Sequence, residues 1–176
     1  MKVIYVWGST CVGKSTLMQK AKDYSSKVGL CEVGKEFRKK YPPEYFRGQG
    51  APAHTQDEAL DILKEFYEKY KEKKFLLVDG QPRDESQLDT ILDLFQDHEQ
   101  NVWWLFADKH DIRSRIWERF PDDLESRKLA FERVDNDRIQ LFDVAWGLLD
   151  KGLKILPVMH NENFDYVRFF KEQLPL

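Results

Sequence analysis

The chain has 176 residues, 41% hydrophobic and 34% charged, a balance that excludes a disordered polymer and fits one globular domain spanning 1–176. A formal net charge of −3 gives no basic footprint for nucleic acid, and two cysteines, Cys11 and Cys31, are too few for a disulfide framework. No run approaches the ~18 apolar residues of a membrane span and the N-terminus lacks the order of a secretory signal, so a soluble, cytoplasmic protein is expected.

In chain order, "KVIYVW" (2–7) reads as a strand, its continuous hydrophobicity suiting burial on both faces. Directly behind it, "GSTCVGKST" (8–16) satisfies the Gly-x4-Gly-Lys-Ser pattern in full, and "STLMQKAKDYSS" continues as a helix over 14–25. A strand, a glycine loop and a helix in this order form a phosphate cradle. Gly8 and Gly13 let the backbone come close and aim N–H groups inward, and the helix adds the positive end of its dipole. Ser9, Thr10, Cys11 and Val12 complete the loop around an ATP tail. Lys14 supplies a mobile positive charge for the outer phosphates, the Ser15 hydroxyl is a Mg²⁺ ligand, and Thr16 supports phosphate binding.

A strand near 29–33 and a helix over 34–41 follow. Residues 42–54, with three prolines and two glycines, read as a loop or flap. The helix expected over 55–72 carries Leu60, Leu63, Phe66, Tyr67 and Tyr70 at helical spacing, with Thr55 and Glu58 as a capping box. "KFLLVD" (74–79) is a third strand, and Asp79 leaves it at the carboxyl edge, on the side of the glycine loop. There a carboxylate holds Mg²⁺ through its waters and Arg83 grips a phosphoryl group; the plainer reading of Asp79-Gly80 is a strand-ending turn.

A helix over 84–98, a strand over 101–107, a helix over 109–119, one over 123–150 that is either continuous or interrupted, a strand over 153–158 and a helix over 162–173 complete the pattern. Gly152 suits a helix C-cap. Strands alternating with helices predict an α/β, three-layer sandwich with a mostly parallel five-stranded sheet. His54, His98, His110 and His160 show no metal-ligand spacing and read as surface or packing residues. Trp103 and Trp104 read as core or as sheet-helix packing. Tyr41, Tyr45 and Phe46 either stack on a base or pack the flap.

Together, "GSTCVGKST" and "LLVDGQPRDESQ" resemble the adenylate kinase branch of the P-loop nucleoside monophosphate kinases. That family pairs the loop with an Asp-Gly-(Phe/Tyr)-Pro-Arg segment, followed four residues on by a base-reading Gln. Here these are Asp79-Gly80-Gln81-Pro82-Arg83 and Gln87. "EVGKEFRKK" resembles the segment that sets an arginine, Arg38, on the acceptor phosphate. "RGQGAPAHTQDEALDIL" is similar to the stretch entering the acceptor-binding region, and "DIRSRIWERF" to the helix bearing an Arg-x3-Arg pair, Arg115 and Arg119. "LAFERVDND" is similar to the later helix that supplies Arg133. The similarity runs from about residue 1 to 170.

The resemblance implies ATP, carried with Mg²⁺, as donor, held by residues 8–16 with Arg115 and Arg119. It implies a nucleoside or deoxynucleoside monophosphate as acceptor, contacted by Gly34, Arg38, Gly80, Arg83, Gln87 and Arg127. Lys14, Arg83, Arg115 and Arg133 are the implied catalytic cations, and Ser15 and Asp79 the implied metal residues; for Arg127 a solvated helix face is the equal alternative. Three positions depart from the family: Gln81 replaces the aromatic, Lys35 stands where an Asp is usual, and Val33 where a Thr is usual. Thirteen residues separate Arg119 from Arg133, so the lid, about 115–133, is short, facing an acceptor flap at about 34–72. The competing expectations are a kinase for another small metabolite, or a nucleotide-binding regulatory or assembly protein that transfers nothing. A monomer or homodimer without membrane or nucleic-acid partners is expected.

Overall fold

The structure is a computed structural model and describes residues 1–42, 56–83 and 85–175. Tyr45, Phe46, His54 and Thr55 lie outside the described residues, as does most of the 42–54 loop. Five strands form one all-parallel sheet: β1 (Lys2–Trp7), β2 (Val28–Cys31), β3 (Phe75–Asp79), β4 (Glu99–Phe106) and β5 (Lys154–Met159). Their order is β2-β3-β1-β4-β5, with Lys2 level with both Phe75 and Glu99. The chain moves to one side of β1 first and to the other side later. The carboxyl end of β1 is therefore the point where the winding reverses, and open α/β sheets bind ligands in that crevice.

Seven α-helices among the described residues cover the sheet: α1 (Lys14–Tyr24), α2 (Val33–Lys40), α3 (Gln56–Tyr70), α4 (Leu88–Leu94), α5 (Lys109–Arg119), α6 (Leu124–Asp150) and α7 (Tyr166–Gln173). On one face Ile4, Val6, Trp103 and Leu105 pack with Leu17, Met18 and Ala21 of α1, Ile112 and Ile116 of α5 and Phe170 of α7. On the other, Val3, Tyr5, Trp7 and Val102 pack with Phe37 of α2, Leu63 of α3, Leu88 and Ile91 of α4 and Leu148 of α6. Helix α6 serves both faces: Ala130 and Val134 belong to the first core, Val144, Ala145 and Leu148 to the second. It therefore crosses the sheet's carboxyl edge. Gly147 permits this close approach, since a Cβ there would stand 2.5 Å from Leu88 Cδ1.

Three expectations need adjustment. The helix expected over 84–98 is a 3₁₀ turn, Glu85–Gln87, followed by α4 alone. Phe95 is fully buried, and the Gln100 side chain donates to the carbonyls of Leu92 and Phe95, satisfying groups that further helix would have used. Val33 opens α2 instead of closing β2. Burial on both faces holds for β1 but not for β5, which is an edge strand with Pro157 and Met159 exposed. Trp103 is core, and Trp104, half-buried, packs edge-on to Trp7 and against Phe142 of α6, as the core or sheet-helix reading expects. No helix is long and apolar enough to cross a membrane among the described residues.

Candidate active site

The loop after β1 departs from ordinary backbone at three places: Gly8 at φ +145°, Cys11 at +62° and Gly13 at +103°. A side chain at Gly8 would meet the Leu105 carbonyl at 2.7 Å, and one at Gly13 the His160 ring at 2.5 Å. Only glycine fits either position. Lys14 folds back over the loop, its Nζ donating to the carbonyls of Gly8 (2.7 Å) and Ser9 (3.1 Å). Ser15 and Thr16 are exposed on the first turn of α1.

Behind the loop stands a support that the sequence did not announce. His160, 3% exposed after β5, places Nδ1 3.0 Å from the Val12 carbonyl and Nε2 2.7 Å from the Tyr166 hydroxyl. Burial is the largest influence on His160 and Arg115 a further one, and the ring's pKa falls below its ordinary value. Arg115 reaches the same region: Nη1 donates to Val12 O (2.7 Å) and Cys11 O (3.5 Å), Nη2 to His160 O (3.1 Å). In front of the loop, Asp137 of α6 accepts from both the Thr10 amide (2.7 Å) and the Thr10 hydroxyl (2.9 Å). His160 belongs to no recognisable motif, and Asp137, the last residue of "LAFERVDND", carried no expectation of its own; the cue was that it follows Arg133 by one helical turn.

Beside this loop, β3 ends in the second element of the site. Gly80, at φ +64°, donates its amide to Val6 O (3.2 Å), and Trp7 Nε1 donates to Gln81 O (2.8 Å), tying the 79–83 turn to β1. Arg83 is held by a bond from Nε to Gly80 O (3.3 Å), and its amide donates to Gln87 Oε1 (2.8 Å). Among the described residues, Asp79 Oδ1 and Gln81 Oε1 are buried without a hydrogen-bond partner. An orphaned, acceptor-only oxygen of this kind suits a hard cation or its water.

The charges of these elements meet. Burial lowers the pKa of Lys14, opposed by Asp79 and Asp137 and reinforced by Arg83 and Arg133. Arg83 is lowered by burial first and then by Arg133, with Asp137 and Asp79 opposing. Arg38 is lowered by burial and by Arg119 and Arg133, with Asp79 and Glu32 opposing. Arg38, Arg83 and Arg133 thus act on one another, Lys14 is acted on by Arg83 and Arg133, Arg119 acts on Arg38, and three carboxylates, Asp79, Asp137 and Glu32, oppose them. Among the described residues, no hydrogen bond or ion pair engages Arg38, Arg119 or Arg133. Gly34 lies beside Arg38, whose Nη1 is 3.4 Å from where a Cβ on Gly34 would stand.

Arg115 bonds the glycine loop itself, at the Cys11 and Val12 carbonyls, together with the His160 carbonyl, while no hydrogen bond engages Arg119 among the described residues. Arg127 donates to Phe120 O (2.6 Å) and stacks over Trp117, 4.0 Å from the ring centroid. Of the remaining histidines, His98 bonds Tyr67, and His110 lies within 4.8 Å of Asp108 and Asp111 at the exposed start of α5. Tyr41 bonds Glu58 of α3 and packs on Phe37. On the far side of Ser9 a pocket of about 210 Å³ lies among Trp104, Phe106, Ile112, Arg138 and Phe142. No protein-family model matches this chain, and no curated protein matches it.

Proposed function

We propose that the chain is a P-loop kinase that moves the γ-phosphoryl group of ATP to a nucleoside or deoxynucleoside monophosphate. The observation that carries this reading is the gathering of Lys14, Arg38, Arg83, Arg119 and Arg133 near the reversal point of the sheet, where among the described residues no hydrogen bond or ion pair engages Arg38, Arg119 or Arg133. Unpaired cations brought together repel one another, and a ligand carrying several phosphate charges on each of two halves relieves that cost.

An oxygen of the acceptor phosphate bonds to the γ-phosphorus while the bond to the β,γ-bridging oxygen breaks, and that oxygen leaves on ADP. The attacking oxygen is already ionised, so no side chain has to remove a proton. The protein's work is alignment and compensation for charge spreading over the moving group. Lys14 turns from the Gly8 and Ser9 carbonyls to the donor phosphates, while Arg83 and Arg133 flank the transfer and Arg38 holds the acceptor phosphate. Asp79, with its orphaned Oδ1, and Ser15 fit a Mg²⁺ ion, which supplies neutralisation of the donor's phosphate charge when bound. Gln87 meets the base with its amide, while its oxygen also accepts from the Arg83 amide and so holds the side chain in place.

Incubation with Mg-ATP and each nucleoside and deoxynucleoside monophosphate in turn, reading ADP release, tests the reading. Release that depends on one or a few monophosphates supports it. ATP binding without acceptor-dependent release identifies a nucleotide-binding protein instead, and release that requires a hydroxyl-bearing metabolite identifies a different kinase.

A further inference from the structure

We propose that Asp137 is a positioning residue: it latches helix α6 to the glycine loop and thereby sets Arg133 over the transfer site. The inference rests on the phosphotransfer reading for its kinetic consequence, and on geometry alone for the latch.

Within the loop one backbone bond, from the Val12 amide to the Ser9 carbonyl (3.3 Å), and positive φ at Gly8, Cys11 and Gly13 set its shape, and several side chains fasten it from outside. Its outside fastenings divide by charge. Carbonyls are held by cationic or ring donors: Gly8 and Ser9 by Lys14, Cys11 and Val12 by Arg115, and Val12 also by His160. The Thr10 N–H is held by the one anion of the set. A single oxygen of Asp137 takes both the amide at 2.7 Å and the hydroxyl at 2.9 Å. These are charge-assisted bonds across 127 residues of chain, and they join the end of β1 to the middle of α6.

Arg133 precedes Asp137 by four positions, so both lie on one face of α6. Pinning Asp137 to Thr10 therefore fixes where Arg133 stands, and Arg133 acts on Lys14, Arg83 and Arg38 together. Arg133 has no hydrogen bond or ion pair of its own among the described residues. Its placement comes from the helix, which is held by the burial of Ala130 and Val134 in the first core and, at the glycine loop, by Asp137.

The test compares Asp137→Ala with Asp137→Asn in the full chain. Asparagine keeps a carbonyl oxygen able to accept both Thr10 bonds and deletes only the charge; alanine deletes both. The first readout is hydrogen exchange at the Thr10 amide, which needs no turnover. Exchange should speed at least about tenfold in Asp137→Ala and stay within about threefold of the parent in Asp137→Asn. The second is kinetic: Asp137→Ala should lower kcat about tenfold to a hundredfold, with the acceptor KM changing less than about threefold, and Asp137→Asn should recover most of it. In an Arg133→Ala background, Asp137→Ala should cost less than about threefold more, because the group it places is gone.

Unchanged Thr10 exchange in Asp137→Ala, an Asp137→Asn variant as impaired as Asp137→Ala, or additive losses with Arg133→Ala overturn the proposal. If Asp137→Ala does not fold, Thr10→Val, which deletes the hydroxyl bond alone, takes its place, and an unaltered kcat there overturns it. A parent protein that phosphorylates no monophosphate ends the transfer reading, while Thr10 exchange still decides the latch.

Discussion

Lys14 shows how one side chain serves two states of a loop. Its ammonium spans the Gly8 and Ser9 carbonyls, and burial lowers its pKa, so a phosphate tail offers it a stronger partner than the loop does. Lys14→Ala should therefore reduce transfer at least about a hundredfold, the usual loss when one preorganised donor to developing charge is removed. Measured kcat with saturating ATP checks this, and near-parent turnover refutes it. Arg38 belongs to the other half of the site. It is exposed on α2, with Arg119 and Arg133 close enough to act on its charge. Arg38→Ala should raise the acceptor KM about tenfold and leave the ATP KM within about threefold, which initial rates with each substrate varied in turn would show. Equal rises in both would move Arg38 off the acceptor.

Two glycines at element ends separate backbone strain from crowding. Gly152, at φ +78°, ends α6 in a Schellman arrangement: its amide bonds Leu149 O and the Leu153 amide bonds Leu148 O. A Cβ there meets nothing within 4 Å, so Gly152→Ala should cost only the left-handed penalty, about 1 kcal/mol by urea denaturation. Gly13→Ala adds a collision with His160 at 2.5 Å to its positive φ and should cost several times as much, together with nucleotide binding. At this scale the sequence was informative where signals are local. Continuous apolar runs located all five strands, and Gly152 marked the end of α6. The loop pattern located the glycines that the backbone requires. It was silent where a contact depends on folding. Nothing near His160 says that its ring will close the back of a loop 148 positions away, and nothing near Gln100 says that its amide will stop α4. The (i, i+4) spacing of Arg115 and Arg119 says nothing of the Val12 and His160 carbonyls that Arg115 bonds.

For the whole molecule, the sheet order makes the site a property of the fold. Reversal of winding at β1 sets the glycine loop beside the end of β3, and α6, crossing from one core to the other, closes the third side. The fold also carries a pH dependence through His160. Its folded pKa lies below the ordinary 6.5, so on acidification the unfolded chain takes up the proton first. Stability should be fully present above about pH 6.5 and decline as pH falls, until the folded-state value is passed. Denaturation at pH 7.5, 6.5 and 5.5 should show this decline, and His160→Gln should flatten it; identical slopes would remove His160 as the cause. The bond from Trp7 to the Gln81 carbonyl gives the protein an optical property as well. Trp7, fully enclosed one residue ahead of Gly8, lies between the two halves of the cleft, whereas Trp117 and Trp146 face solvent. Once those outer two indoles are quenched, residual emission from Trp7 and its inner neighbours becomes a built-in gauge of whatever settles at the end of β1.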